Sequence, residues 1–309
     1  INMGADGATL DVYMMRAWST FLTDAQMLSC YILDQDSVDD LLNLYNENDI
    51  LDDNGEISVG SVKNGMRVVV ITGKQASGQT TVEYAAIQNN KKAKYNVDEI
   101  LTFIKGEDKS ERNFRLIGGC IGLQGTSSLA YPIKNYRIYL YNSSKVNGQL
   151  YIGCNESGIG GTLQSDVKYS FRPAGNNNYK AIPVNCFCLK ADYAESSSSH
   201  NTGMARLVHS TLLKANELTP AQKGVDRSSY EYDVRTTVDG EPCLLFYRAS
   251  VQDTPKFLGK FNWNNDKSTE DVFGFKGIPG YHDASWVQEK FGGKNPTECW
   301  EFLNNDYPM

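Results

Sequence analysis

The chain has 309 residues and a net charge of −7, a length that suits roughly two domains of about 150 residues and leaves ample material for a buried core. The acidic balance argues against a sequence-independent nucleic-acid binder, which needs clustered Lys and Arg for counterion release. No apolar run approaches the roughly 18 residues of a membrane helix, so a soluble chain without membrane insertion is expected.

The opening residues, "INMGADGATLDVYMM", carry neither a basic start nor an apolar signal core, and an internal piece of something longer is expected. "TLDVYMMRAWSTFL" (Thr9 to Leu22) reads as a strand. A short helix, "AQMLSCYIL", follows Thr23-Asp24, and Ser37 caps a second with Val38, Leu41, Leu42 and Tyr45 at helical spacing. Asn54-Gly55 turns the chain. "DDNG" lacks the first ligand and the closing Glu of a calcium loop, so calcium is discarded there.

"MRVVVIT" (Met66 to Thr72) is a buried strand by length and β-branching, and "SGQTTVEYAAIQ" reads as its neighbour, a second strand or hairpin partner. "NNKKAKY" (Asn89 to Tyr95) is the densest basic run and reads as a solvated loop. Asn96 is expected to cap a helix, "VDEILTFIK", ended by Gly106. Two strands follow, Leu116 to Leu123 and Lys134 to Tyr141, then a glycine-rich loop, "NESGIGGTL". Another strand spans Asn185 to Asp192, with Cys186 and Cys188 on one face.

A helix after the serine run presents Met204, Leu207, Val208, Thr211 and Leu212 on one face and stops before Pro220. Asp239-Gly240 turns a hairpin whose second strand is limited by Glu241-Pro242, and "KFLGKFNWNNDKST" continues the sheet into a polar turn. Asp283 caps a last helix, stopped by Gly292-Gly293. The order is mixed α+β, not regular βαβ, so a Rossmann sheet is not expected. Mixed or antiparallel sheets with packed helices are.

Seven cysteines form no CxxC pair, and the histidines are only three, His200, His209 and His282. Free, mostly buried thiols in a reducing compartment are expected rather than disulfides or a zinc site. HExxH, GxSxG, Walker A and GxGxxG motifs are missing from the sequence. The richest polar corner is Gln124-Gly125-Thr126-Ser127-Ser128, with Lys134 and Arg137 beyond it. Small polar residues beside a glycine, followed by cations, suit a phosphate-holding turn. They equally suit a tight corner whose hydroxyls bond nearby backbone groups.

Several segments taken together carry a resemblance. "LQGTSSLAYPIKNYRIYL" resembles the "RGxSS…PKKxY" strand pair of the CotH spore-coat kinase family. "CFCLKADYAESSSSHNTGMARLV" is similar to its strand-to-helix passage, "VRTTVDGEPCLLFYR" to its hairpin, and "GKFNWNNDKSTEDVFGF" to its later "WDxDxxFG" turn. The order agrees from about Ile117 to Phe275. "LDVYMMRAWSTFLTDAQMLSCYILDQD" resembles the end of the concanavalin/laminin-G-like jelly roll that precedes a CotH-like module in structural proteins of tailed bacteriophages, including the crAss-like group.

The resemblance implies the end of a jelly roll over 1–22, a helical linker over 23–60 and a CotH-like, kinase-like α+β module over 61–309. It implies a structural, tail-associated virion protein, assembled in the bacterial cytoplasm as a homo-oligomer among other virion proteins. No cofactor is expected. The alternative it implies is an active phosphotransferase using ATP with magnesium or manganese, in which Gly125, Ser127, Ser128 and Lys134 hold phosphate and Asp266, with Asn264, holds the metal. Lys134 and Asp266 are then the catalytic candidates. Several charges of the family pattern are missing: Gln124 stands for Arg, Ile133 for one of two lysines, Asn264 for an acid and His200 for Arg. A third reading is an adhesin contacting host surface glycans through an aromatic, asparagine-rich surface.

Overall fold

The computed structural model describes residues 56–75, 78–170, 183–194, 202–203, 205, 238 and 240–266. The chain divides into two compact units, Ile1–Ser61 and Val62–Met309, and every described strand belongs to the second. The strand expected over 9–22 and the helices after Thr23, Ser37 and Asp283 lie outside the described residues. So do most of the helix after the serines, of which Thr202, Gly203 and Ala205 are helical, and all three histidines.

The unit is mostly β-sheet. Its strands are β1 (Arg67–Thr72), β2 (Lys94–Asn96), β3 (Glu99–Ile104), β4 (Phe114–Ile117), β5 (Cys120–Gln124), β6 (Asn135–Tyr139), β7 (Gln149–Cys154), β8 (Gly160–Leu163), β9 (Cys186–Lys190), β10 (Gly240–Arg248) and β11 (Lys256–Asn265). They form one 11-stranded sheet in the order β2-β5-β6-β9-β11-β10-β1-β3-β4-β7-β8. β1 and β10 run parallel, whereas the other pairings are antiparallel. The mixed sheet was legible in the sequence. Its arrangement gives no support to the kinase-like module that the resemblance implied.

Two bent strands coil this sheet around its core. β2 runs into β3 with only Val97 and Asp98 between them, and β4 into β5 with only Gly118 and Gly119. The pair turns the corner together: Val97 N–H donates to the Gly119 carbonyl at 3.0 Å and Gly118 N–H to the Asp98 carbonyl at 3.2 Å. Gly118 has φ +81°, and a Cβ on Gly119 would lie 2.5 Å from Leu116 Cδ2 and 2.9 Å from the Tyr139 carbonyl oxygen. Glycine is therefore required at both positions. A sheet that switches direction at such corners encloses its inner face.

That inner face holds one hydrophobic cluster. Phe114 of β4 meets Trp263 of β11 with ring centroids 5.8 Å apart, although three strands separate them in the sheet. Trp263 stacks on Phe187 at 5.1 Å and Tyr169 meets Phe114 at 4.7 Å. Each such fully buried apolar side chain contributes about 1.5–3 kcal/mol. Among the described cysteines, Cys120, Cys154, Cys188 and Cys243 are buried, Cys186 is half-buried, and all five are free.

At one end the inner face turns polar. Arg67, fully buried in β1, has its Nε 2.5 Å from Glu241 Oε1 of β10, and Glu241 Oε2 lies 2.6 Å from Arg112 Nη2. Arg67 Nη1 also donates to Thr102 Oγ1 at 2.8 Å and to the Arg112 carbonyl at 3.0 Å. Burial works against this guanidinium's charge, yet Tyr169 and Glu241 hold its pKa above the ordinary value.

Several sequence expectations are corrected. "TVEYAAIQ" is a helix, α1 (Thr81–Gln88), not a strand. Thr80 and Glu83 form a reciprocal capping box there, a local signal that outweighs the β-branched Thr-Thr-Val run. The helix expected after Asn96 is instead β3, buried along its whole length. A short apolar run buried on both faces shows no alternation and cannot be told from a helix by periodicity. Asn96 accepts the Ser143 N–H at 2.7 Å rather than capping a helix.

The strand expected over 116–123 is split at Gly118-Gly119. The looped "NESGIGGTL" contains β8, paired with β7. β10 runs through Glu241-Pro242 instead of being limited by them. The basic run is not wholly a solvated loop: Lys94 lies in β2, with its ammonium 4.2 Å from the Tyr139 ring centroid.

Replacing Glu241 by Ala leaves the Arg67 charge buried beside a lost partner. A urea melt should show a loss of about 3–5 kcal/mol, and a loss below about 1 kcal/mol, within the range of an ordinary surface substitution, would refute this account of the seam. A second prediction concerns Glu83, which accepts from Thr80 Oγ1 at 2.6 Å, Thr80 N–H at 3.0 Å and Tyr247 OH at 3.1 Å. The Thr80 hydroxyl is the chief cause that holds this carboxyl below the ordinary glutamate range, with burial opposing it. Its stabilising effect is thus present above the ordinary glutamate pKa and is lost as pH falls through the lowered folded value. Thr80→Val should raise the Glu83 midpoint followed by carboxyl-carbon NMR; an unchanged midpoint would count against the capping box as its cause.

Candidate functional site

Side chains alternate across a strand, so β5, β6, β9 and β11 present a second face opposite the core. Their registers line up Gly122, Arg137, Cys188, Asn264 and Gly240 in one cross-strand row. Lys190 and Asn262 pair in the next row, and Lys190 Nζ donates to Gln124 Oε1. Gln124, Asn262, Asn264 and Asp266 are all buried there. The sequence candidates Asn264 and Asp266 thus fall on one polar seam, together with Gln124.

Asp266 stands one residue beyond β11 and is 1% exposed. Its Oδ2 lies 2.5 Å from Arg137 Nε, and the Cys186 thiol approaches it at 3.8 Å. Burial opposes the Arg137 charge, but the Asp266 carboxylate raises the guanidinium pKa above its ordinary value. Burial, and then Asp266, push the Cys188 thiol up to about 12 and raise Cys186 as well. Neither thiol therefore has the lowered pKa that marks a reactive cysteine. Asn264 Nδ2 donates to the Asn265 carbonyl at 2.8 Å, while its Oδ1 has no hydrogen-bond donor among the described residues.

The glycine-serine corner lies at the end of β5 and β6. Gly125 has φ +110°, and Ser127–Ala130 form a 3-10 turn. Ser128 Oγ accepts from Asn135 Nδ2 at 3.3 Å, and Thr126 Oγ1 accepts from Lys91 Nζ at 3.1 Å. Lys134 turns its ammonium into the turn itself, donating to the Leu129 carbonyl at 2.6 Å and the Tyr131 carbonyl at 2.8 Å. The Thr126 and Ser128 hydroxyls accept from side chains here, whereas the corner reading expected backbone partners.

Magnesium favours several hard anionic oxygens. Here one carboxylate is already paired with a guanidinium beside a neutral Asn, and no group of three His, Cys, Asp or Glu that could hold a metal occurs among the described residues. Among the described residues this donor set does not fit magnesium or manganese.

Sequence reasoning noted Arg137 beside the corner but not its pairing with Asp266, and it missed Lys190 and Asn262. A signal existed: in "NWNND" the polar residues Asn262, Asn264 and Asp266 recur at every second position, the period of one strand face. The second face also receives Thr202, whose Oγ1 donates to Asn262 Oδ1 at 3.0 Å, and Asp192, whose Oδ2 accepts from Asn262 Nδ2 at 2.6 Å.

If the seam is a structural ion-pair ladder, Asp266→Ala should cost about 2–3 kcal/mol, below the full penalty of a buried pair because Arg137 is one-third exposed. Lys134→Met should cost about 1 kcal/mol or less. Chemical denaturation of the two variants checks the ranking, and a neutral Asp266→Ala would sink it. No protein-family profile, no curated protein and no solved structure matches this chain.

Proposed function

We propose that this chain is a structural component of a bacteriophage virion, part of a tail-associated assembly, which works through its surfaces rather than by turnover. The observation that supports this most is the pairing of the candidate charges with their own fold. Asp266 is held by Arg137, and Lys134 by two carbonyls of the adjoining turn. A kinase site needs these groups turned toward triphosphate and metal, with charge left to neutralise. Missing charges at Gln124, Ile133 and Asn264 argue the same way.

In this reading the CotH-like segments descend from a phosphate-handling module whose polar residues now brace a sheet. The neighbours are other virion proteins and further copies of the chain, and the place of assembly is the bacterial cytoplasm.

Quantitative mass spectrometry of purified particles, from the phage whose genome encodes the chain, should find it at a fixed copy number from preparation to preparation. Its absence from particles would overturn the proposal. Thermal melts with ATP and either magnesium or manganese should show no shift. A shift that disappears in Asp266→Ala would restore the phosphotransferase alternative.

A further inference from the structure

Among the described residues the exposed aromatic side chains are Tyr131 and Tyr193, 38% and 50% accessible. They come from distant parts of the sequence, yet they stand side by side. Their ring centroids are 5.6 Å apart and their planes meet at 34°. The pair is tilted rather than stacked.

Both are held from beneath. The Tyr131 N–H donates to the Ser128 carbonyl at 3.2 Å, and its own carbonyl accepts from Lys134 Nζ at 2.8 Å. Tyr193 follows Ala191, whose N–H donates to Asn135 Oδ1 at 2.8 Å, and Asp192, whose carboxylate accepts from Asn262 at 2.6 Å. Asp192 has φ +45°, a left-handed conformation uncommon for a non-glycine residue. The backbone that carries both rings is thus braced by hydrogen bonds that involve Ser128, Lys134, Asn135 and the buried Asn262. Exposure of the rings does not come from a loose chain, and a preorganised surface loses less entropy on binding.

We propose that Tyr131 and Tyr193 form a saccharide-binding platform. A tyrosine ring offers an apolar face and a polar tip, which match the C–H face and the hydroxyl rim of a pyranose. Thr126 and Ser127, exposed on the turn that carries Tyr131, add hydroxyls at the margin. Ala130 and Pro132, which flank Tyr131, are small and also exposed, unlike the packed surroundings of a protein hot spot. A nucleic acid would need free cations for its phosphates, but the Lys134 ammonium is turned into the 3-10 turn and Lys91 is bonded to Thr126.

The platform does not depend on virion incorporation, and its test is separate. The full chain is applied to an array of bacterial capsular and O-antigen oligosaccharides, with a proline-rich peptide set printed alongside. Retention of at least one glycan is expected. Tyr131→Ala and Tyr193→Ala should each weaken it about tenfold, equivalent to roughly 1.4 kcal/mol. Tyr131→Phe and Tyr193→Phe, which keep the ring, should retain most of the binding. Melting temperatures close to the parent's are expected for all four, because both side chains are exposed. The proposal is overturned if no glycan is retained, if the alanine variants bind as well as the parent, or if the peptides alone are captured.

Discussion

The two halves of the sheet meet at a single parallel seam, β1 against β10, formed by segments far apart in sequence. Across that seam lies the buried pair of Arg67 and Glu241, extended by Arg112, Thr102 and Tyr169. A buried ion pair costs desolvation on both partners and contributes little net stability. Its effect is on alternatives. Sliding β1 by one residue along β10 would turn Arg67 to the other face of the sheet and leave both charges buried and unpaired. Because β10 must close against β1 for the core to be enclosed, the Trp263, Phe187, Phe114 and Tyr169 cluster depends on the same register.

Polar groups on the second face follow a related logic. Arg137 with Asp266, Lys190 with Gln124, and Asn262 with Asp192 and Thr202 tie β5, β6, β9 and β11 to the chain around them. Each contact satisfies a group that burial would otherwise penalise. The corner at Gly125 to Ser128 is built the same way: its glycine has a left-handed conformation, and the lysine beside it points inward.

Legibility in the sequence varied with the kind of signal. β1, β6, β9 and β11 were readable because β-branched or alternating residues mark them. β3 was read as a helix because burial on both faces erases alternation. α1 was read as a strand because β-branched residues drew more weight than the Thr80–Glu83 capping box. Of the seam, Asn264, Asp266 and the corner residues were singled out in the sequence, whereas the pairing of Asp266 with Arg137 and of Gln124 with Lys190 was not. Cross-strand partners belong to register, and register is set by pairings that a single strand does not reveal.

What the sequence by itself determined is local: that β1, β6, β9 and β11 are extended, and which residues carry charge. The tertiary structure decided which charges meet, because the bent strands and the parallel seam bring Arg67 to Glu241 and Arg137 to Asp266. It also set Tyr131 beside Tyr193. Local propensity acts over a few residues, but the coiled sheet closes through contacts between residues more than a hundred positions apart, and only the closed sheet fixes which side chains face one another.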